Sequence, residues 1–445
     1  ATPMVHLFGN GRSMMFGDLD AKLSAAIKAL HPDDLQGYKD YRQHMTALGR
    51  VVSEMLWEVP PDIGSTTITD RARLLKLAYK YRALGRQVYD LYDILTLSAY
   101  DYLLRWFKSD EMITALGFYA TCGGANTSLM SPGSAYVLLR GYIRDHTTPA
   151  GPAGFVRGGM GTISEAIAAA GKAAGMEIRC NAEVKRVIVI DGVATGVELK
   201  DGETLHAKRV VSNAATKVLF QQLVPAQSVS EDFRKKVSFI RDRSTAFKVN
   251  LAMKRLPVFK DFDPKAAGFD YPNQVRIAPS VAYLERAYDA SKYGEISSRP
   301  PLVVLTPSAV DPTVAPPGKH LISILGQHAP YDLAGGDWDQ MRPTLYETVL
   351  STLEEYAPDI RDCIDDAQVL SPVDLERIFA LPGGHVHHGE LSMDQIFFRR
   401  PVEGAADYRT PIKNLFQCGA SVHPGGGVTG VPGYNAAQVI LSARG

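Results

Sequence analysis

The run Phe416-Gln-Cys-Gly-Ala-Ser-Val-His-Pro-Gly-Gly-Gly-Val-Thr-Gly-Val-Pro-Gly-Tyr-Asn435 constrains the fold more than any other stretch. Leu415 to Cys418 is a short apolar run of the kind that forms a buried strand. Gly419, Ala420 and Ser421 follow, so the backbone there is almost bare. His423, Pro424 and three glycines make a loop. Pro432 stands where a helix begins, a place where its missing N–H costs nothing, and Asn435 to Leu441 continues as helix. A strand, a side-chain-free turn and a helix N-terminus together bring backbone N–H groups up to an anionic or electron-rich ligand. Glycines at this density carry a conformational-entropy cost, which a loop without a ligand has no reason to bear.

Three other stretches stand with this one: Gly158-Gly-Met-Gly-Thr-Ile-Ser-Glu-Ala-Ile167, Leu370-Ser-Pro-Val-Asp-Leu-Glu376, and Gly389-Glu-Leu-Ser-Met-Asp-Gln395 followed by Asp407-Tyr-Arg-Thr-Pro411. With these four motifs the chain closely resembles the phytoene desaturase-like superfamily of FAD-dependent oxidoreductases over nearly its whole length. The resemblance implies an α/β fold: an FAD/NAD(P)-binding, Rossmann-like domain lacking its N-terminal βαβ unit, plus a substrate domain with an antiparallel sheet and a helical region. It implies FAD as cofactor and an apolar small-molecule substrate. It also assigns cofactor contacts. Val184 falls near the adenine, Gly419 and Ala420 at the ribityl-phosphate region, and Gly430 and Val431 at the helix start facing the flavin pyrimidine edge. His388 and Glu390 lie in a family-like motif and are candidates for catalysis, although as residues they read equally as loop polars. Arg399, Arg400 and Arg409 are candidates for pairing with phosphate or carboxylate, or for plain exposure.

One part of that family is missing. The expected strand, G-x-G-x-x-G turn and helix are not found. Gly9-Asn-Gly11 runs on to Met14, and Gly159-Met-Gly161 runs on to Ser164 with no apolar strand before it. Both are decoys on this reading. The expectation is a longer natural chain with the dinucleotide-binding turn ahead of Ala1, or a site completed differently.

Taken in order, Met4–Phe16 reads as a hairpin on an Asn-Gly turn, with Asp18 or Asp20 capping the next helix. The pattern from Asp33 to Leu116 is helical. Val88, Leu91, Tyr92, Leu95, Ala99, Tyr102, Leu103 and Trp106 share one helical face, read as core or as an apolar channel lining. Pro60-Pro-Asp-Ile-Gly64 interrupts this region, and Gly123-Gly124 closes it. Thr162–Ala174 is a helix stopped by Gly175. Glu177–Cys180 reads as a strand, and Val184–Ile190, Val193–Leu199 and Thr204–Val211 as a three-stranded meander on Asp-Gly turns. Phe247–Met253 and the stretches near Leu302 and Leu321 read as sheet, and Leu345–Tyr356 as helix. These pieces divide into residues 146–219 with 405–445 as the FAD-binding domain, discontinuous in sequence, and residues 1–145 with 220–404 as the substrate domain, 21–145 mainly helical.

Composition excludes other classes. Lysine plus arginine equals aspartate plus glutamate, 48 each, so the positive excess of a nucleic-acid binder is absent. Cys122, Cys180, Cys363 and Cys418 have no CxxC spacing, and the histidines at 385, 387 and 388 lack a second ligand group for zinc. The chain therefore reads as intracellular, cytoplasmic or in the mitochondrial matrix, with peripheral membrane contact and a homo-oligomer compatible with it. The function expected is transfer of hydride between an apolar substrate and flavin N5, of desaturase, dehydrogenase or isomerase type. Two rivals stand beside it. One is a non-catalytic interaction protein keeping the fold without flavin, and the other is a flavin-dependent amine oxidase.

Overall fold

A computed structural model describes residues 4–17, 19–121, 127–143 and 155–442. Its twelve strands are β1 (Met4–Gly9), β2 (Arg12–Phe16), β3 (Val184–Ile190), β4 (Val193–Leu199), β5 (Thr204–His206), β6 (Val210–Ser212), β7 (Phe247–Met253), β8 (Gln274–Ile277), β9 (Leu302–Leu305), β10 (His320–Gly326), β11 (Ile364–Leu370) and β12 (Leu415–Gln417). They form three sheets.

The largest sheet has seven strands in the order β11-β7-β10-β9-β8-β1-β2. All its pairs are antiparallel except β1 with β8. The β1–β2 hairpin forms as the Asn-Gly signal requires: Asn10 and Gly11 take φ 54° and 76°, the left-handed values of a type I′ turn. Gly9-Asn-Gly11 is thus a hairpin turn and not a dinucleotide turn. Asp20 caps the helix Ala21–Leu30 by accepting from Leu23 N–H; Asp18 lies outside the described residues.

Alternation along the strands splits the sheet into two faces. Val5, Leu7, Val249, Leu251, Val275, Ile277, Leu302, Val304, Ile322 and Ile324 point into a core closed by the helix Trp338–Glu354. That helix starts seven residues earlier than the expected Leu345. Asp337 accepts from the N–H groups of Asp339 and Gln340 and so caps the turns ahead of Pro343. The opposite face carries the half-buried Val303, Leu305 and Leu325. At its β1 end it packs on helices Asp34–Leu56, Ala99–Leu104 and Asp110–Thr121.

The expected single stripe of apolar residues from Val88 to Trp106 is not one face. Ser98 caps a new helix at Ala99, and the preceding helix ends at Thr96. Ala99, Tyr102 and Leu103 are buried, whereas Val88 and Tyr92 are more than half exposed. Gly123 and Gly124 lie outside the described residues.

The second region joins both ends of the remaining chain. Helix Gly161–Ala173 ends at Gly175, φ 88°. Glu177–Cys180 is not a strand: it is exposed and pairs with no strand among the described residues, and an unpaired extended segment gains no ladder bonds. β3, β4 and β5 make an antiparallel meander. The expected third strand is broken in two. β5 stops at His206, and Val210–Ser212 leaves as β6 to pair in parallel with β12, some two hundred residues later. Lys413 ties the two sheets by accepting from Ala194 N–H and donating to Gly192 O. Leu219, Phe220, Val237, Ile412 and Leu415 fill the space between them.

Candidate functional site

β6 and β12 run side by side and end together, so the turns that follow them lie in contact. Cys418 N–H donates to Ser212 O at 2.8 Å. Gly419 has φ 87°, and a Cβ there would stand 3.2 Å from Asn213 O and 3.3 Å from Asn213 Cβ. A Cβ would push Asn213 back by a few tenths of an ångström, and the left-handed φ favours glycine here. A crevice outside the carboxyl ends of parallel strands is where open α/β sheets receive ligands.

The turn's donors are unused. Among the described residues, the N–H groups of Gly419, Ala420 and Ser421 have no acceptor. Ser421 is only 3% exposed. A buried backbone N–H without a partner is costly; the Ser421 donor, with the half-buried Gly419 and Ala420 donors before it, forms a cradle that suits an anion. The Ser421 hydroxyl faces the other way, accepting from Thr216 N–H at 3.0 Å and meeting His388 Nδ1 at 3.3 Å.

The chain then turns back to a helix, Val431–Ser442, so Pro432 is its second residue and not its first. Tyr434 N–H bonds Gly430 O. Pro432 has no N–H, and Gly433 N–H has no intrachain acceptor among the described residues. Gly430 has φ 71°, is exposed, and a Cβ there would meet nothing within 4 Å. Val431 N–H donates to Thr429 Oγ1 at 3.3 Å, and the positive end of the helix dipole lies at the exposed Gly430.

Of the five residues assigned to a cofactor, four stand on this one turn and helix start: Gly419, Ala420, Gly430 and Val431. Val184 opens β3 opposite Leu199 and makes no hydrogen bond to the glycine run.

The two catalytic candidates do not act as a pair. His388, with φ 56°, reaches Ser421. Burial, and then the Arg400 charge, hold its pKa below the ordinary value, so it is neutral at pH 7. Glu390 turns to Arg241 Nε at 2.7 Å. Burial raises its pKa, and the Arg241 guanidinium works against that rise.

Arg400 was legible only as a cation. It is 2% exposed and forms no ion pair among the described residues. Its guanidinium donates to four backbone carbonyls: Ala420 (2.7 and 3.3 Å), Glu390 (3.0 Å), Gln395 (3.1 Å) and His387 (2.5 Å). Burial lowers its pKa to about 10, which leaves it charged at neutral pH. Arg409 pairs with Asp407 at 2.6 Å, and Arg399 reaches Glu403 at 3.5 Å. In the histidine cluster, His385 Nδ1 accepts from His387 N–H at 3.2 Å and His387 Nε2 lies 2.9 Å from Arg140 Nη1. Among the described residues no group of three His, Cys, Asp or Glu side chains could hold a metal ion. Ser421 was read only as part of the bare turn, and the anchoring role of its hydroxyl was not, because a serine after an alanine carries no signal of its own.

Residues 15–441 match the family described as flavin containing amine oxidoreductase. Pyridine nucleotide-disulfide oxidoreductase domain-containing protein 2 of Rattus norvegicus is 36% identical over 446 residues, covering 97% of this chain and 76% of that protein. One of the subunits of the limonene dehydrogenase of Castellaniella defragrans is 26% identical (97% of this chain, 78% of that protein). A lycopene-forming phytoene desaturase of Paracoccus sp. is 24% identical (95% and 77%). Among solved structures, a double mutant of putrescine oxidase superposes with TM-score 0.50 at 13% identity, over 99% of this chain and 81% of that one, a likeness of fold. The chain belongs to the flavin containing amine oxidoreductase family and is an FAD-dependent oxidoreductase.

Proposed function

We propose that the protein moves hydride to or from an apolar substrate, as a desaturase, dehydrogenase or isomerase of the phytoene desaturase-like type. The observation that carries the reading is the row of three acceptor-free N–H groups at Gly419, Ala420 and Ser421, followed in the chain by the exposed Gly430 at a helix start. FAD fits such a cradle: the turn offers donors to its ribityl-phosphate part and the helix end offers positive charge to the isoalloxazine edge. When bound, FAD supplies a hydride acceptor, so little acid–base chemistry is asked of side chains. The protein's own work is to bind, orient and keep water out. Nothing in the His388–Glu390 geometry amounts to a nucleophile and base.

The apolar character of the substrate is supported by relatives whose names specify limonene and phytoene. Leu305 and Leu325, half-buried on the sheet face away from the strand core, are in keeping with it. The helix Ile68–Tyr81 buries no side chain and exposes Ile68 (87%), Leu75 (72%) and Tyr79 (67%), with Arg71 and Lys76 also exposed. A stripe of that kind suits peripheral contact with an anionic lipid surface, from which an apolar substrate is drawn. Among the described residues no helix is long and apolar enough to cross a membrane.

The test is a spectrum followed by a reduction. Purified protein titrated with FAD should develop bound-flavin absorbance. Anaerobic addition of a terpene or carotenoid alkene should bleach it, whereas putrescine should not. Bleaching by the amine alone would replace this reading with amine oxidation, and no bound flavin at all would remove both.

A further inference from the structure

We propose that Arg400 is the positioning residue of the cofactor turn: its guanidinium fixes the Ala420–Ser421 peptide plane so that the Ser421 N–H faces the ligand. The proposal rests on the reading of that turn as the FAD cradle.

The argument begins with the peptide group. C=O and N–H of a trans peptide point in opposite directions. Ala420 O accepts two hydrogen bonds from Arg400, from Nη2 at 2.7 Å and from Nε at 3.3 Å. The Ser421 N–H, in the same plane, must then point away from Arg400. That N–H is the one on a residue only 3% exposed and without an acceptor. Gly419 and Ala420 have no polar side chain to set their planes, and glycine leaves its own free to rotate. Arg400 supplies what the turn lacks.

The same guanidinium holds three separate segments. Nη2 also donates to His387 O, and Nη1 donates to Glu390 O and Gln395 O. The loop carrying His388 and Glu390 is thereby locked to the glycine turn. The Ser421 hydroxyl adds a second tie through His388. Only a planar fork of five donors can serve carbonyls from three directions. On the other side Gly425 comes close: a Cβ there would lie 3.2 Å from Arg400 Nε. The charge has a consequence of its own. With no carboxylate paired to it among the described residues, Arg400 leaves a net positive charge behind the turn, and that charge favours an anionic ligand in front of it.

The test compares the protein with Arg400→Lys, which keeps the charge and loses the fork, and Arg400→Met, which loses both. FAD affinity, the bound-flavin spectrum and midpoint potential, and thermal unfolding are measured together. Both variants should bind FAD about tenfold or more weakly, as charge-assisted hydrogen bonds set the turn. Arg400→Met alone should also lower the midpoint potential, because the positive charge favouring reduced flavin is gone. A merely structural role would lower the unfolding temperature and leave the affinity and potential of the folded fraction unchanged, and that result overturns the proposal. If neither variant folds, hydrogen exchange on the wild type decides: FAD should slow exchange at Gly419, Ala420 and Ser421 amides, and unprotected amides in FAD-bound protein overturn the proposal. A wild type that binds no FAD overturns the cofactor reading and this inference with it. A wild type that binds FAD, beside variants of equal affinity and potential, overturns only the inference.

Discussion

Asn435 Nδ2 donates to Tyr408 Oη at 2.9 Å, and Tyr408 Oη donates in turn to His423 O at 2.8 Å. All three residues are at most 1% exposed. The same Asn435 amide also reaches Leu56 O, at 3.1 Å, near the end of helix Asp34–Leu56. One phenol and one amide thus tie the start of the last helix to the loop before it and to a helix almost four hundred residues earlier. Tyr408→Phe leaves the ring in place and takes away the hydroxyl. It strands Asn435 of one acceptor and His423 O of its donor. The expected loss is about 1–3 kcal/mol of stability, read as a lower urea midpoint at unchanged slope. A midpoint equal to wild type would mean that the network contributes nothing net.

At Gly430 the choice of variant matters. With φ 71°, any β-branched residue is strained whatever the space around it, so Gly430→Val would confuse strain with blockage. Asparagine accepts the left-handed region far better, while its side chain projects where a Cβ now meets nothing. Gly430→Asn should keep circular dichroism and the unfolding midpoint near wild type and reduce FAD binding by at least about tenfold, a loss of about 1.4 kcal/mol. Normal FAD occupancy in a folded Gly430→Asn protein would move the isoalloxazine away from this helix start.

Asp34 is fully buried and accepts from the N–H groups of Lys108 (2.7 Å) and Ser109 (3.0 Å), and also from the Ser109 hydroxyl. These donors stand just ahead of helix Asp110–Thr121, whose Phe118 packs in the helical core. Removing the carboxylate leaves buried donors without a partner. Asp34→Ala should therefore cost about 2–3 kcal/mol, measured by urea denaturation. A loss below about half a kcal/mol would show that water replaces the carboxylate at no cost.

What could be read in the sequence followed from chemistry that is local. The Asn-Gly hairpin, the Asp20 cap, the stop at Gly175 and the bare Gly419–Ala420 turn each depend on a few adjacent residues. β6 and β12 did not come through as partners, because three-residue strands separated by some two hundred residues leave no periodicity to follow. Val210 and Val211 looked like the tail of β5 for the same reason. β8 and β11 were missed too; Asp365 and Asp366 disguise β11, an edge strand whose exposed positions tolerate charge. At the site, the turn was visible and its support was not. Arg400 and Arg399 are indistinguishable as letters, yet one is enclosed by carbonyls and the other reaches Glu403 near the surface. His388 and Glu390, two residues apart and both candidates, face different partners.

Three buried histidines set a dependence on pH. Burial lowers His6 and His328 to about 3 and His423 to about 4, from an ordinary 6.5. His328 has neither ring nitrogen hydrogen-bonded, and His6 donates or accepts only at Nε2, with Ala278 O at 2.9 Å. The His423 ring lies near the Met55 and Leu56 carbonyls, which oppose part of its shift, without a hydrogen bond of good geometry. Between about pH 6.5 and 4 the unfolded chain holds protons on these three residues that the folded chain does not. Their contribution is therefore complete above pH 6.5 and is lost as pH falls toward the folded values. Each extra proton on the unfolded side steepens the loss by about 1.4 kcal/mol per pH unit, so three give a limiting slope of about 4 kcal/mol per unit. The paired carboxylates, such as Asp394 at about 2 beside Arg241, act lower on the scale, as pH falls below the ordinary carboxylate range. Urea midpoints at pH 7.5, 6.0 and 5.0 should fall steeply over the last step. His328→Asn, which accepts the residue's φ of 68° and does not titrate, should remove about a third of the slope. Midpoints that stay level down to pH 5 would show that these rings are hydrated and protonate in the folded protein.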